Sequence, residues 1–374
     1  ASGPELEAAF ARGVISAGGS AVLGGVLPSP AIALQALDLG IVISASHNPP
    51  EYNGVKFYDS VGRKLPDESE EQIEALLDAA PTGGRGQIKH AGGASGRYVD
   101  YVVANFGSDL SGLRIAVDCA NGAYSALAPR AFERLGAEVQ AIGDNPDGTN
   151  INTGCGATDL ASLQHVVTSG GFDLGVAFDG DGDRMLAVDE TGAAVDGDQI
   201  LAVLALQLGV ELIAVTQMTN LGFHALMRER GIRVLTTDVG DRYVLDALDL
   251  EGGVLGGEQS GHIIYLRDHV TGDGLAAALL LCTALRGRIP SDAFAVMPRW
   301  PQVKENIRVA SKELNPAIEA EVARVNAELG ETGRILVRPS GTEPLIRVLA
   351  EAENQAVAEE ACASIGALVR RELG

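Results

Sequence analysis

Short apolar runs alternate with amphipathic stretches along the whole chain. The pattern predicts a helix over 5–18, a strand over 21–27 that stops at Pro28, a helix over 30–37 and a buried strand over 39–43. Turn residues follow, Asn48-Pro49-Pro50 and Asn53-Gly54, with Phe57 continuing the loop outward. A short helix is expected over 68–77, a glycine-rich surface loop over 81–95 and a helix over 98–106. The cadence restarts near residue 108. Strands at 114–118 and 138–142 enclose a helix over 123–135. After a loop and a helix over 160–169 come strands at 174–178 and 185–188. A third cycle holds helices over 198–208 and 222–230, strands at 212–216 and 233–236, and a long apolar helix ending near 285. Trp300-Pro301 reads as a linker. A helix over 315–329, strands at 334–337 and 345–350 and a helix from 355 close the chain. This repetition predicts an α/β protein with domains at 1–107, 108–195, 196–299 and 300–374.

With 374 residues, the chain is long enough for two to four domains. Its 46% hydrophobic and 21% charged residues are ordinary globular values. No apolar run approaches the ~20 residues that span a bilayer, and no signal peptide is expected. Cys119, Cys155, Cys282 and Cys362 lie far apart, which predicts neither a metal cluster nor a disulfide framework. A reduced, cytoplasmic setting follows. The net charge of −22 argues against nucleic acid as a partner. An anionic substrate would need cations gathered locally against that field.

Four stretches carry candidate chemistry. Ser46 stands on a loop beside His47 and within reach of Lys56, the setting in which a hydroxyl can become a nucleophile. Asp179, Asp181 and Asp183 alternate with glycine after a buried strand. They repel one another unless a hard cation such as Mg²⁺ sits between them. Glu258, Ser260 and His262 form a polar loop between glycines, suited to sugar hydroxyls. Arg338, Ser340, Gly341, Thr342 and Arg347 lie in and beside a loop between two strands. Hydroxyls, free backbone N–H groups and guanidinium groups there suit a phosphate.

Ser44-Ala45-Ser46-His47-Asn48-Pro49, Asp179-Gly180-Asp181-Gly182-Asp183-Arg184, Gly257-Glu258-Gln259-Ser260-Gly261-His262 and Arg338-Pro339-Ser340-Gly341-Thr342-Glu343-Pro344 occur in the order seen in the α-D-phosphohexomutase family. The Gln259 version of the third motif, Asn150-Ile151-Asn152 and Val239-Gly240-Asp241-Arg242-Tyr243-Val244 resemble its bacterial phosphoglucosamine mutase branch. The resemblance implies a heart-shaped arrangement of three similar α/β domains and a smaller α+β C-terminal domain. It implies a phosphoryl group carried on Ser46, and Mg²⁺ held by that phosphate with Asp179, Asp181 and Asp183. Lys56 and Arg184 would face the transferring group, with His47 beside it. Glu258, Ser260 and His262 would meet the sugar. Arg338, Ser340, Gly341, Thr342 and Arg347 would hold the other phosphate, and Arg242 would add to the local positive charge.

The implied reaction interconverts glucosamine 6-phosphate and glucosamine 1-phosphate, with glucosamine 1,6-bisphosphate or a similar hexose bisphosphate as intermediate and activator. It serves amino-sugar nucleotide and peptidoglycan precursor synthesis, in a monomer or homodimer. A mutase for mannose or glucose phosphates and a non-enzymatic phosphosugar-binding remnant stay open as alternatives. The family's opening strand and its arginine-bearing segment have no counterpart before the first helix, so domain 1 is expected to be N-terminally truncated. Ala157-Thr158-Asp159 stands where that branch usually has Ser-Thr-His, and Thr219 stands in place of a serine.

Overall fold

The computed structural model describes residues 2–79, 83–340 and 343–374. Among the described residues strands and helices alternate, and the strands form five sheets. The first stretch carries helix Gly3–Ser16, strand Ala21–Leu23, helix Ser29–Gln35 and the antiparallel pair Leu39–Ser44 and Gly54–Asp59. That pair corrects the expectation of a loop through Phe57. Val42 lies opposite Lys56 and Ser44 opposite Gly54, so Lys56 projects from a strand. Lys56 interrupts the apolar run and hides it from a reading by hydrophobicity, although Tyr58 two residues on is buried. Strand Ala21–Leu23 is shorter than expected because Gly24-Gly25 follows, with Gly25 at φ 75°. Its parallel partner, Ile88–His90, lies inside the expected 81–95 loop.

The second stretch builds a five-stranded sheet in the order Glu138–Ile142, Arg114–Asp118, Leu174–Phe178, Met185–Asp189, Ala194–Val195. The first three strands are parallel, and Met185–Asp189 runs antiparallel to both of its neighbours, Leu174–Phe178 and Ala194–Val195. Strand Leu174–Phe178 is buried along its whole length, as expected of a strand covered on both faces. The helix expected over 123–135 is only Ala128–Arg134. Pro129 sits in its first turn, where a missing N–H costs no helical bond.

The third sheet runs Arg233–Thr237, Leu212–Thr216, Leu255–Gly257, Ile263–Tyr265. Helix Gly197–Leu208 opens this stretch with a reciprocal cap between Asp196 and Gln199. Helix Gly274–Ala284 is apolar on nearly every face and buried accordingly. Its cap, Asp273, is also a polar junction inside the core. The carboxylate accepts from Tyr98 Oη at 2.8 Å and Tyr124 Oη at 2.8 Å, and pairs with His269 Nε2 at 2.9 Å. Tyr98, Tyr124 and His269 come from three separate stretches of chain, and all four residues are buried.

The C-terminal sheet has Leu345–Ala352 between Gln302–Arg308 and Gly333–Pro339, antiparallel to both. Helices Pro316–Leu329 and Gln355–Leu373 complete its core with Ile318, Val348, Ile365 and Val369. Strand Gln302–Arg308 follows the expected Trp300-Pro301 linker, where no element was expected. Its Lys304, Glu305, Asn306 and Arg308 mask the strand pattern, and it is an edge strand, where polar residues are usual.

Packing divides the chain into two compact units: Ala1–Met218 with Gly231–Val296, and Thr219–Arg230 with Met297–Gly374. Helix Leu221–Glu229 thus belongs with the C-terminal sheet. Leu221 N–H donates to Glu351 Oε1 at 2.7 Å, and Arg334 Nη2 to Thr219 O at 2.5 Å. Among the described residues no helix is long and apolar enough to cross a membrane.

Candidate active site

The larger unit gathers most of the candidate residues at the ends of its strands. Leu39–Ser44 runs into Ser46, which takes the left-handed conformation at φ 52° and is 9% exposed. Ser46 N–H donates to Ser44 Oγ at 2.9 Å, and Asn48 N–H to Ala45 O at 2.9 Å, closing a tight turn. The Ser46 hydroxyl lies 3.4 Å from His47 Nδ1 and 3.4 Å from Asp179 Oδ2. His47 is exposed by surface area, yet partial desolvation among its neighbours, then the positive Arg184, lowers its pKa and favours the neutral, proton-accepting form.

Strand Leu174–Phe178 delivers the three aspartates. Gly180 has no room for a side chain: a Cβ there would lie 2.4 Å from the Ser46 carbonyl oxygen. Gly182, at φ 79°, turns the loop. Oxygens of Asp179, Asp181 and Asp183 all lie within 4.8 Å of one another, and the three residues are buried. Burial, then Asp183 and Asp181, holds the Asp179 carboxyl well above the usual range. Asp183 is held well below it: burial opposes ionisation, but Lys56, His262, Lys64 and Arg184 outweigh burial. Lys56 Nζ donates to Asp181 Oδ2 at 2.6 Å and Asp183 Oδ2 at 2.8 Å. Burial works against its charge, yet Asp183 and Asp181 raise its pKa well above the ordinary value. Asp181 Oδ1 and Asp183 Oδ1 are buried with no hydrogen-bond partner among the described residues. Unpaired buried carboxylate oxygens are costly, and a hard divalent cation would satisfy both, so this donor set fits a metal.

The hairpin turn between Leu255–Gly257 and Ile263–Tyr265 brings Glu258 and His262 to the same cleft. Glu258 Oε1 accepts from Gly240 N–H at 3.1 Å. His262 stands 3.8 Å from Asp183 and 3.5 Å from Asp241. A cavity of ≈ 490 Å³ is lined by Ser46, His47, Lys56, Arg184, Glu258 and His262, together with Asp183, Lys64 and Asp241. Its size suits a small ligand. Of the residues expected in this unit, Asp179 and Asp181 of the carboxylate cluster are not among those lining it, and neither are the substrate candidates Ser260 and Arg242. Ser260 is exposed at the tip of its turn, and Arg242 pairs with Asp67 at 2.6 Å. Gln259 turns to Asp198 instead, at 3.0 Å.

Sequence reasoning passed over several contributors. Ser29 Oγ donates to Asp181 Oδ2 at 2.5 Å from 152 positions away. Lys64 Nζ pairs with Asp241 at 2.5 Å. Burial opposes the Asp241 charge, but His262 and Lys64 take its pKa down to about 2. Residues this distant in sequence carry no shared spacing, and Ser29 had only its place between Pro28 and Pro30 as a signal.

In the smaller unit, Arg338 and Arg347 lie directly opposite each other on neighbouring strands. Like charges in that position are destabilising without an intervening anion. Burial, then Arg347, lowers the Arg338 pKa. Ser340 is 3% exposed, and Arg347 Nη2 donates to its Oγ at 3.4 Å. Arg347 Nε is buried without a hydrogen-bond partner among the described residues. Gly341 and Thr342 lie outside the described residues.

Four domain profiles of the phosphoglucomutase/phosphomannomutase family match in order: α/β/α domain I over residues 1–82, domain II over 96–192, domain III over 196–299 and the C-terminal domain over 305–367. A phosphoglucosamine mutase from Pelotomaculum thermopropionicum is 49% identical over 381 residues, which cover 96% of this chain and 86% of that protein. The chain belongs to the phosphohexomutase family. Its fold is therefore the family's three α/β/α domains and a C-terminal domain. A solved family member from Burkholderia thailandensis superimposes with a TM-score of 0.81 at 25% identity, covering 98% of this chain and 85% of that one. An N-acetylphosphoglucosamine mutase from Aspergillus fumigatus, solved with GlcNAc-6P and magnesium, shares the fold. It has a TM-score of 0.68 at 18% identity, over 97% of this chain and 92% of that one.

Proposed function

We propose that this chain is an isomerase, a phosphoglucosamine mutase that interconverts glucosamine 6-phosphate and glucosamine 1-phosphate by way of a phosphorylated Ser46. The observation that carries the reading is the Ser46 hydroxyl, held 3.4 Å from Asp179 beside a buried three-carboxylate cluster. The curated relative of that activity supports the sugar. Phosphoryl transfer asks for positioning and charge neutralisation above all, and the cleft supplies both. Phosphorylated Ser46 gives its phosphoryl group to the sugar's free hydroxyl. The Oγ–P bond breaks, a P–O bond to the sugar forms, and the sugar's proton ends on the released Ser46 oxygen. Neutral His47, 3.4 Å from that oxygen, is placed to pass it across. The resulting 1,6-bisphosphate turns and returns its other phosphoryl group to Ser46.

Lys56 and Arg184 hold the oxygens of the moving group. Asp179, Asp181, Asp183 and the Ser46 phosphate would hold Mg²⁺, which when bound offsets phosphoryl negative charge. Glu258 and His262 line the cleft for the sugar, and a 2-ammonium group would pair with the Glu258 carboxylate. Arg338, Ser340, Gly341, Thr342 and Arg347 form the grip on the phosphate that is not being transferred. The domain limits 1–107, 108–195, 196–299 and 300–374 and a cytoplasmic setting belong to the same reading, the latter supported by four free cysteines.

The test is turnover of glucosamine 1-phosphate, glucose 1-phosphate and mannose 1-phosphate, primed with glucose 1,6-bisphosphate. The expected result is the highest kcat/KM for glucosamine 1-phosphate, since discrimination resides in that ratio. Ser46→Ala is expected to be inactive. A ratio to glucose 1-phosphate of one or less assigns the chain to the glucose/mannose branch. Activity in the alanine variant rules out the phosphoserine.

A further inference from the structure

We propose that Asn152 is a positioning residue that locks Ser46 into its left-handed conformation. The inference rests on the reading of Ser46 as the phosphoryl carrier. Asn152 Nδ2 donates to Ser46 O at 2.7 Å and to Asn48 O at 3.0 Å. Both hydrogens of one carboxamide are thus spent on the carbonyls of the turn that presents the nucleophile. Asn152 Oδ1 is buried without a hydrogen-bond partner among the described residues. Reversing the amide would set that oxygen against two carbonyls, so the orientation is fixed. A non-glycine residue at positive φ persists only where its surroundings hold it there. For Ser46 at φ 52° the surroundings include this clamp, the Ser44 hydroxyl that accepts its N–H and the backbone of Gly180.

The clamp is itself anchored. Asn152 sits at φ 58°, a conformation asparagine tolerates better than most residues. Its N–H donates to Ala120 O at 2.9 Å. Ala120 N–H in turn donates to Asp118 Oδ1 at 3.0 Å, and Asp118 Oδ2 accepts from Gly156 N–H at 2.8 Å. Asp118 is fully buried at the end of strand Arg114–Asp118. Ile151 packs against the aspartate loop: a Cβ on Gly180 would lie 2.5 Å from its Cδ1. One short turn therefore holds the nucleophile from a central strand of the neighbouring sheet. Asn152 does not line the cleft. It acts through Ser46 without touching a substrate.

Two variants separate the side chain from the backbone. Asn152→Gly keeps the positive φ and removes both donors, and Asn152→Asp keeps the shape and sets a carboxylate against two carbonyls. Purified chain is incubated with glucose 1,6-bisphosphate, and intact mass follows phosphorylation of Ser46. In that step Oγ–P forms, the donor's P–O bond breaks, and the serine proton ends on the released sugar hydroxyl. Both variants are expected to phosphorylate about tenfold to a hundredfold more slowly, the usual consequence of a small misplacement of a reacting atom. Turnover should show kcat falling in proportion with KM little changed, while Mn²⁺ affinity and Tm stay near wild type. A wild-type phosphorylation rate in Asn152→Gly overturns the proposal. So does a parallel loss of Mn²⁺ affinity and Tm in both variants, which would make Asn152 a general support of the fold. If wild type takes up no phosphoryl group, or Ser46→Ala takes up as much, the reading of Ser46 fails and this inference with it.

Discussion

His224 is a residue whose environment decides when it can carry charge. Burial, followed by the nearby Arg334 and Arg228, takes its pKa down to about 4. Its Nε2 is buried without a hydrogen-bond partner among the described residues. The unfolded chain takes up this proton near the ordinary histidine pKa of about 6.5, whereas the folded chain refuses it until about pH 4. Stability from this group is therefore complete above the unfolded pKa and falls as pH drops through that window, by about 3 kcal/mol in all. Tm measured from pH 7.5 to 4.5 is expected to fall more steeply for wild type than for His224→Gln. Parallel curves would contradict the assignment. At this scale sequence reading recovers what is local. Ser46, His47 and the three aspartates stand out because their neighbours in sequence are their neighbours in space. Asn152 and Ser29 act on groups 106 and 152 positions away, and no periodicity reports such a contact.

Among the elements, the aspartate loop carries the sharpest demand. A fully buried strand ends in three carboxylates, and one ammonium group, Lys56, pairs with two of them. Asp181→Asn removes one charge and leaves the shape. The half-saturating Mg²⁺ concentration should rise by about tenfold or more, since even groups that only orient a metal ligand contribute on that order. Mn²⁺ binding followed directly should weaken in step with activity. Unchanged affinity would reduce the loop to an acidic turn. The strand leading into this loop and its glycine alternation are plain in the sequence. Strands Gly54–Asp59 and Gln302–Arg308 are not, because lysine and other polar residues interrupt their apolar positions. Helix Ala128–Arg134 starts late for a reason that Pro129 already states.

Across the whole molecule, an overall charge of −22 coexists with cations collected where an anion is expected: Lys56, Lys64 and Arg184 around the cleft, Arg338 and Arg347 in the C-terminal unit. The order of α/β cycles was legible because each cycle repeats the same apolar rhythm. The division into two units was not, since residues 219–230 are claimed by contacts to chain more than 60 positions later. That arrangement has a practical meaning for anyone cutting the gene. The polypeptide passes between the units three times, after Met218, Arg230 and Val296, so no single truncation excises either one. A fragment of residues 297–374 would leave the fully buried Glu351 carboxylate without the Leu221 N–H, and burial already raises its pKa. Such a fragment is expected to melt at a lower temperature than the same fragment with residues 219–230 restored through a glycine-serine linker. Equal melting temperatures would mean that the C-terminal domain is a transplantable module after all. If the linker version is the more stable, the unit of inheritance for swapping this C-terminal sheet between relatives is a discontinuous pair of segments.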